Sequence, residues 1–153
     1  MNRRYGFTLV EILIVVIVLA ILAAAVVPQF SSAADSGRAS SAATVVKGLM
    51  RLASMKKIED GTYPTTFQAT WFEGGYLPTN PYDPDATTTI QVVNNAALLH
   101  PGTKTTHKAG AFWYNRANGI VRCRITNQGT AAANITLYNQ VNSCKITSMK
   151  QTK

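Results

Sequence analysis

FTLVEILIVVIVLAILAAAVV, residues Phe7–Val27, runs for twenty-one positions before Pro28 with Thr8 and Glu11 as its polar members. At about 1.5 Å per residue a helix of this length reaches roughly 31 Å, enough to cross the ~30 Å hydrocarbon core of a bilayer. Ile, Val and Leu occur all round, without a polar stripe, so the medium this helix suits is lipid or other helices of its kind. Glu11 is the anomaly. A carboxylate at the centre of a membrane helix costs on the order of 2.5–3.5 kcal/mol, less near an end, and either snorkels to the headgroups or serves a function with a partner to be named.

Ahead of the run stands Met1-Asn2-Arg3-Arg4-Tyr5-Gly6, a short basic head that ends in glycine. Such a head stays cytoplasmic and sends the rest of the chain across the membrane. The small residues Ala23, Ala24 and Ala25 also suit an ordinary secretory signal peptide cut near them, but polar Thr8 and Glu11 at the start of the apolar region argue against that reading.

Gly6-Phe7-Thr8-Leu9-Val10-Glu11, followed by an unbroken apolar segment up to Pro28, resembles the N-terminal signature of type IV pilins and type II secretion pseudopilins. The resemblance implies cleavage by a prepilin peptidase between Gly6 and Phe7 and N-methylation of Phe7. It also implies an assembly role in which the Glu11 carboxylate pairs with the Phe7 amine of a neighbouring subunit. Pro28 matches the family's helix-breaking proline. The expected organisation is a leader over residues 1–6, a transmembrane and filament-core helix over 7–30, an amphipathic helix over 31–61, a Pro/Gly-rich loop region over 62–110, and an antiparallel sheet over 111–153.

The amphipathic helix is read from Ala42, Val46, Leu49, Met50 and Ala53, which fall on one face of a 3.6-residue period, while Lys47, Arg51 and Lys56 fall mostly outside it. Pro28 and Gly37 make the stretch between them the weakest part of the rod. Asp60-Gly61 followed by Tyr63-Pro64 is a stop signal. Beyond it, Asp60-Gly61-Thr62-Tyr63-Pro64-Thr65-Thr66, Gly74-Gly75-Tyr76-Leu77-Pro78 and Asn80-Pro81-Tyr82-Asp83-Pro84 resemble the stretch after the long helix in the major pseudopilin. There Tyr63, Trp71, Phe72, Tyr76 and Tyr82 are expected to pin the loop to the domain.

In the last third, Ala111–Tyr114 and Ile120–Ile125 read as a hairpin turned through Asn118-Gly119, with Val121, Cys123 and Ile125 on one face and Arg122 and Arg124 on the other. Ile135–Val141 alternates and reads as a strand, as does Cys144–Met149. The fold class is therefore α+β: a long N-terminal helix packed on a small antiparallel sheet. Cys123 and Cys144 lie in the part expected to be exported, where disulfides persist. A bridge closing a loop of about twenty residues contributes roughly 3 kcal/mol and is favoured over two unpaired buried thiols.

The 153 residues carry a net charge of +8, and all seven acids lie at or before Asp85. Residues 86–153 hold eight basic residues and no carboxylate. Lys104, Lys108, Arg116, Arg122, Arg124 and Lys145 are thus candidates for binding DNA or another polyanion, though a solvated sheet face or contacts between subunits explain the same pattern. Asp83 and Asp85 fall short of the six to eight oxygens calcium takes and read as solvated turn residues. The pseudopilin branch binds calcium in a loop nearer the C-terminus, where this chain has no acid, so no metal is expected. His100 and His107 lack acid or cysteine partners at triad or ligand spacing and read as exposed loop residues. No catalytic residues and no cofactor emerge. The sequence points to a structural subunit of a type IV pilus-like filament or type II pseudopilus, with the peptidase, the inner-membrane assembly machinery, lipid and copies of itself as partners. Alternatives are a DNA- or surface-binding pilin and a membrane-anchored binding protein that never polymerises.

Overall fold

The computed structural model describes residues 6–83, 90–106 and 110–153, side chains at 27–32 excepted. Helix α1 spans Leu9–Asp60, strand β1 Ile90–Val93, β2 Phe112–Asn115, β3 Ile120–Cys123, and helix α2 Ala131–Asn142. By its internal contacts the chain forms two units, residues 1–37 and 38–153.

Among the described residues of the first unit none is buried. Leu9–Val26 has a mean hydropathy of 3.2, and none of it is buried. Burying an Ile, Val or Leu side chain gains about 1.5–3 kcal/mol, so a helix exposing so many of them is built for a medium other than water. The helix continues through Pro28, where a break is expected from sequence. Proline deletes one backbone donor and crowds the preceding turn, and here the helical path persists on both sides of it.

The buried hydrophobic residues described all lie in the second unit. On α1, Ala39, Ala42, Val46, Leu49 and Ala53 are buried while Lys47, Arg51 and Lys57 are exposed. This is the expected face, extended one turn toward the N-terminus by Ala39. It clusters with Phe112 and Tyr114 of β2, Val121 and Cys123 of β3, Ile125, Tyr138, Val141 and Ile146. Gly61, with φ of 76°, takes the left-handed position just past the last turn, which residues with a Cβ adopt at a cost.

The sheet has the order β1-β2-β3 and is mixed, with β1 parallel to β2 and β2 antiparallel to β3. The antiparallel sheet expected from sequence is correct for the hairpin alone. Phe112 pairs with Cys123 and Asn115 with Ile120, joined by the loop Arg116–Gly119. Only Gly119 has positive φ there (74°), so the connection is a four-residue loop and not a two-residue Asn-Gly turn. Strand β1 falls in the stretch expected to be irregular. All four residues of β2 are buried: Phe112 and Tyr114 belong to the core cluster with the buried face of α1, and Trp113 lines a cavity with Leu98, Pro101 and Thr103.

The expected strand over Ile135–Val141 is helix α2. Asn134, Tyr138, Val141 and Asn142 are its buried residues, spaced i, i+4, i+7 and i+8 as a helix requires. Thr130 caps it, its hydroxyl accepting from the Ala133 N–H at 3.2 Å. Ser143, in the left-handed conformation with φ of 48°, ends it. Residues Cys144–Met149 form no strand.

Candidate functional site

Two places hold the residues to which sequence reasoning gives roles. The first is the start of α1. Thr8 and Glu11 form a capping box: the Thr8 hydroxyl accepts from the Glu11 N–H at 3.3 Å, and the Glu11 carboxylate accepts from the Thr8 N–H at 3.3 Å. Main-chain bonds from the N–H groups of Glu11 and Ile12 to the Thr8 carbonyl close the first turn. The carboxylate is therefore held at the positive end of the helix dipole. Phe7 beside it is 81% exposed, and Gly6 is exposed too.

The second place is the polar interior of the head. Lys104 and Arg124, expected on a polyanion-binding surface, are buried, at 1% and 2% exposure. Their cationic groups are spent on the chain's own oxygens. Lys104 Nζ donates to the carbonyls of Pro101 (3.0 Å), Met149 (2.9 Å) and Gln151 (2.6 Å). Arg124 donates to the carbonyls of Thr103 and Gly110 and to the side-chain oxygen of Gln91. Arg122, half-buried, donates to the carbonyls of Leu99 and Asn142. Arg116 is half-buried and Lys145 exposed, and Lys108 lies outside the described residues. The six candidates therefore do not form one exposed patch. A buried cation needs full compensation, and main-chain carbonyls supply it here in place of carboxylates. Desolvation nonetheless lowers the affinity of Lys104 for its proton.

Cys123 and Cys144 are free thiols, which corrects the expected bridge. Cys123 is fully buried on β3 and directs its thiol at the Asn80 side-chain oxygen at 3.2 Å, whereas Cys144 directs its own at the Asn139 side-chain oxygen at 3.4 Å. Each sulfur has a separate asparagine partner. Burial pushes the Cys123 thiol up to about 12 and raises Cys144 also, so neither is activated as a thiolate.

His100 is buried, not exposed, with its Nδ1 3.4 Å from the Tyr138 hydroxyl. Desolvation, with Arg122 and Lys104 nearby, lowers it to about 4. His107 and Asp85 lie outside the described residues; Asp83 is half-buried. Of the aromatics expected to pin the loop, Tyr63, Trp71, Phe72 and Tyr82 pack against the core, but Tyr76 is 80% exposed. Phe67 does what Tyr76 does not: it is buried, with its ring centroid 4.8 Å from that of Tyr114.

Buried asparagines are what sequence reading misses. Asn142 accepts from the Cys123 N–H and donates to the Cys123 and Tyr138 carbonyls, tying α2 to β3. Asn115 donates to the Asn95 and Leu98 carbonyls. Asn80 donates to the Ala111 and Arg124 carbonyls across the β2–β3 pair. Asparagine reads from sequence as a loop residue, and nothing in its spacing marks these three.

A membrane-length apolar helix that opens on a capped glutamate, in a chain whose remainder is a small α+β head, defines a pilin-like protein. Residues 1–27 match the family model described as the prokaryotic N-terminal methylation motif. The chain is 36% identical over 121 residues to the type II secretion system core protein G of Pseudomonas aeruginosa, covering 68% of this chain and 80% of that protein. It is 32% identical over 120 residues to the protein of the same name from Vibrio cholerae, covering 69% of this chain and 77% of that one. No solved structure matches it. The chain belongs to the family of type IV pilins and type II secretion pseudopilins, on the core protein G branch.

Proposed function

We propose that this protein is a structural subunit of a type II secretion pseudopilus, assembled through its N-terminal helix. One observation carries the reading: an unburied apolar helix over Leu9–Val26 whose first turn holds the ionisable Glu11. In lipid that carboxylate is costly, and a cation from a neighbouring chain offsets the cost. The prepilin peptidase cuts between Gly6 and Phe7, and the amine released on Phe7, then methylated, is that cation. The capping box keeps the Glu11 carboxylate at the helix N-terminus, where an amine one turn away on another chain approaches it. Before assembly the basic residues Arg3 and Arg4 hold the N-terminus on the cytoplasmic side, and the head lies across the inner membrane. The role is assembly, and no residue is assigned a catalytic one.

The test is intact mass and N-terminal analysis of the protein from native membranes and from the assembled fraction, beside a Glu11→Ala strain. The expected result is a chain beginning at methylated Phe7, with the variant processed, retained in the membrane and absent from polymer. A chain beginning after Ala25, or one keeping residues 1–6 in every fraction, overturns the reading.

A further inference from the structure

The family resemblance implies a calcium ion in a loop toward the C-terminus, and the residues of this chain do not fit one. Calcium takes six to eight oxygens at 2.3–2.6 Å, with carboxylates among them. Residues 86–153 contain no Asp or Glu. What they contain instead is a place where main-chain oxygens converge on a cation that belongs to the chain. Lys104 Nζ carries three donors, and three carbonyls take them, those of Pro101, Met149 and Gln151. Two of the three oxygens come from the last five residues, more than forty positions away in sequence. One residue further on, the Thr152 carbonyl accepts from the N–H groups of Leu99 (2.9 Å) and His100 (3.2 Å), so the terminal segment is held beside the ammonium as well as by it. The side chain is 1% exposed, and the Tyr138 ring stands 5.8 Å from the charge.

We propose that the Lys104 ammonium is an internal cation that fastens the C-terminal segment to the head, and that the head is for this reason independent of calcium. A lysine charge travels with the fold and needs no ion from the medium. Its field also repels a divalent ion from the same oxygens, and the guanidinium of Arg124 adds a second positive charge to this part of the head. This fastening belongs to the head alone and does not depend on polymerisation.

Full-length protein in detergent micelles tests it. Thermal unfolding in millimolar calcium chloride and in excess EGTA is expected to give the same midpoint, and calorimetric titration with calcium alone to give no stoichiometric binding. Hydrogen exchange then compares Lys104→Met with wild type. The amides of Leu99 and His100 are expected to exchange about tenfold faster or more in the variant, because their shared acceptor, the Thr152 carbonyl, is next in the chain to Gln151, whose carbonyl loses its cation, while those of β2 and β3 hold. Lys145→Met, which removes an exposed charge, leaves both sets unchanged. A midpoint that falls in EGTA, or one calcium bound per chain, overturns the proposal. So does unaltered exchange at Leu99 and His100 in a folded Lys104→Met protein. Should that variant fail to fold, the calcium measurements on the wild type decide alone.

Discussion

Burial makes His100 a pH-sensitive element of the head. Desolvation first, and then the charges of Arg122 and Lys104, lower its folded value to about 4 from the ordinary 6.5. Because the folded value is the lower one, the unfolded chain binds the proton first. The fold therefore loses stability as pH falls from about 6.5 toward 4, and the loss is complete below that window. After allowance for solvent screening the effect is about 1–2 kcal/mol. His100→Gln is expected to flatten the dependence of the unfolding midpoint between pH 7 and 5 relative to wild type. Equal slopes for the two proteins refute this. Gly119 carries a different constraint. At φ of 74° a Cβ there sits 2.3 Å from the Tyr63 ring, which itself lies under the Lys57 ammonium at 4.4 Å. Gly119→Ala should cost about 2–3 kcal/mol in chemical denaturation, against almost nothing for Gly102→Ala, where the added carbon meets no atom within 4 Å. At this scale the sequence was least informative. Charged residues are mostly exposed, so Lys104 and Arg124 read as surface, and their carbonyl partners are set by tertiary folding that no spacing encodes.

At the scale of elements, legibility followed the strength of the periodic signal. The buried face of α1, from Ala39 to Ala53, runs over about four helical turns, and the apolar N-terminal segment is longer still, so each stands out. Helix α2 did not, because Ile135, Leu137 and Asn139 alternate with Thr136, Tyr138 and Gln140 in a way that mimics a strand. The structure leaves Ile135 and Leu137 only half-buried and turns Tyr138 and Val141 inward. The informative signal was upstream: Gly129-Thr130 followed by three alanines is a cap and a helix-favouring start. Strand β1 is four residues long and lies in a Thr- and Asn-rich stretch, too short for periodicity to reveal. The cap gives a direct check on α2. Thr130→Ala removes the 3.2 Å bond to the Ala133 N–H and should lower stability by about 1 kcal/mol, whereas a strand beginning there predicts no loss. Denaturant midpoints at constant slope distinguish the two.

For the whole molecule the division of labour between the two units has a consequence for solubility. Every buried hydrophobic residue described lies at or beyond Ala39, and the first unit contributes none. The head's stability should thus not depend on residues 1–35, while the demand for an apolar medium rests on Leu9–Val26. A chain of residues 36–153, starting at Ser36 as a helix cap, is expected to be soluble without detergent and to unfold within a few degrees of the full-length protein in micelles. It should not float with lipid vesicles, and full-length protein should. Loss of folding in the shortened chain would mean that the N-terminal segment stabilises the head; flotation of that chain would mean that the head itself binds lipid. With eight basic residues in its acid-free stretch, the head's flotation on anionic vesicles is the more demanding of the two trials. The structure argues that it fails there too, since Lys104 and Arg124 are engaged inside the fold and Arg122 already serves two carbonyls.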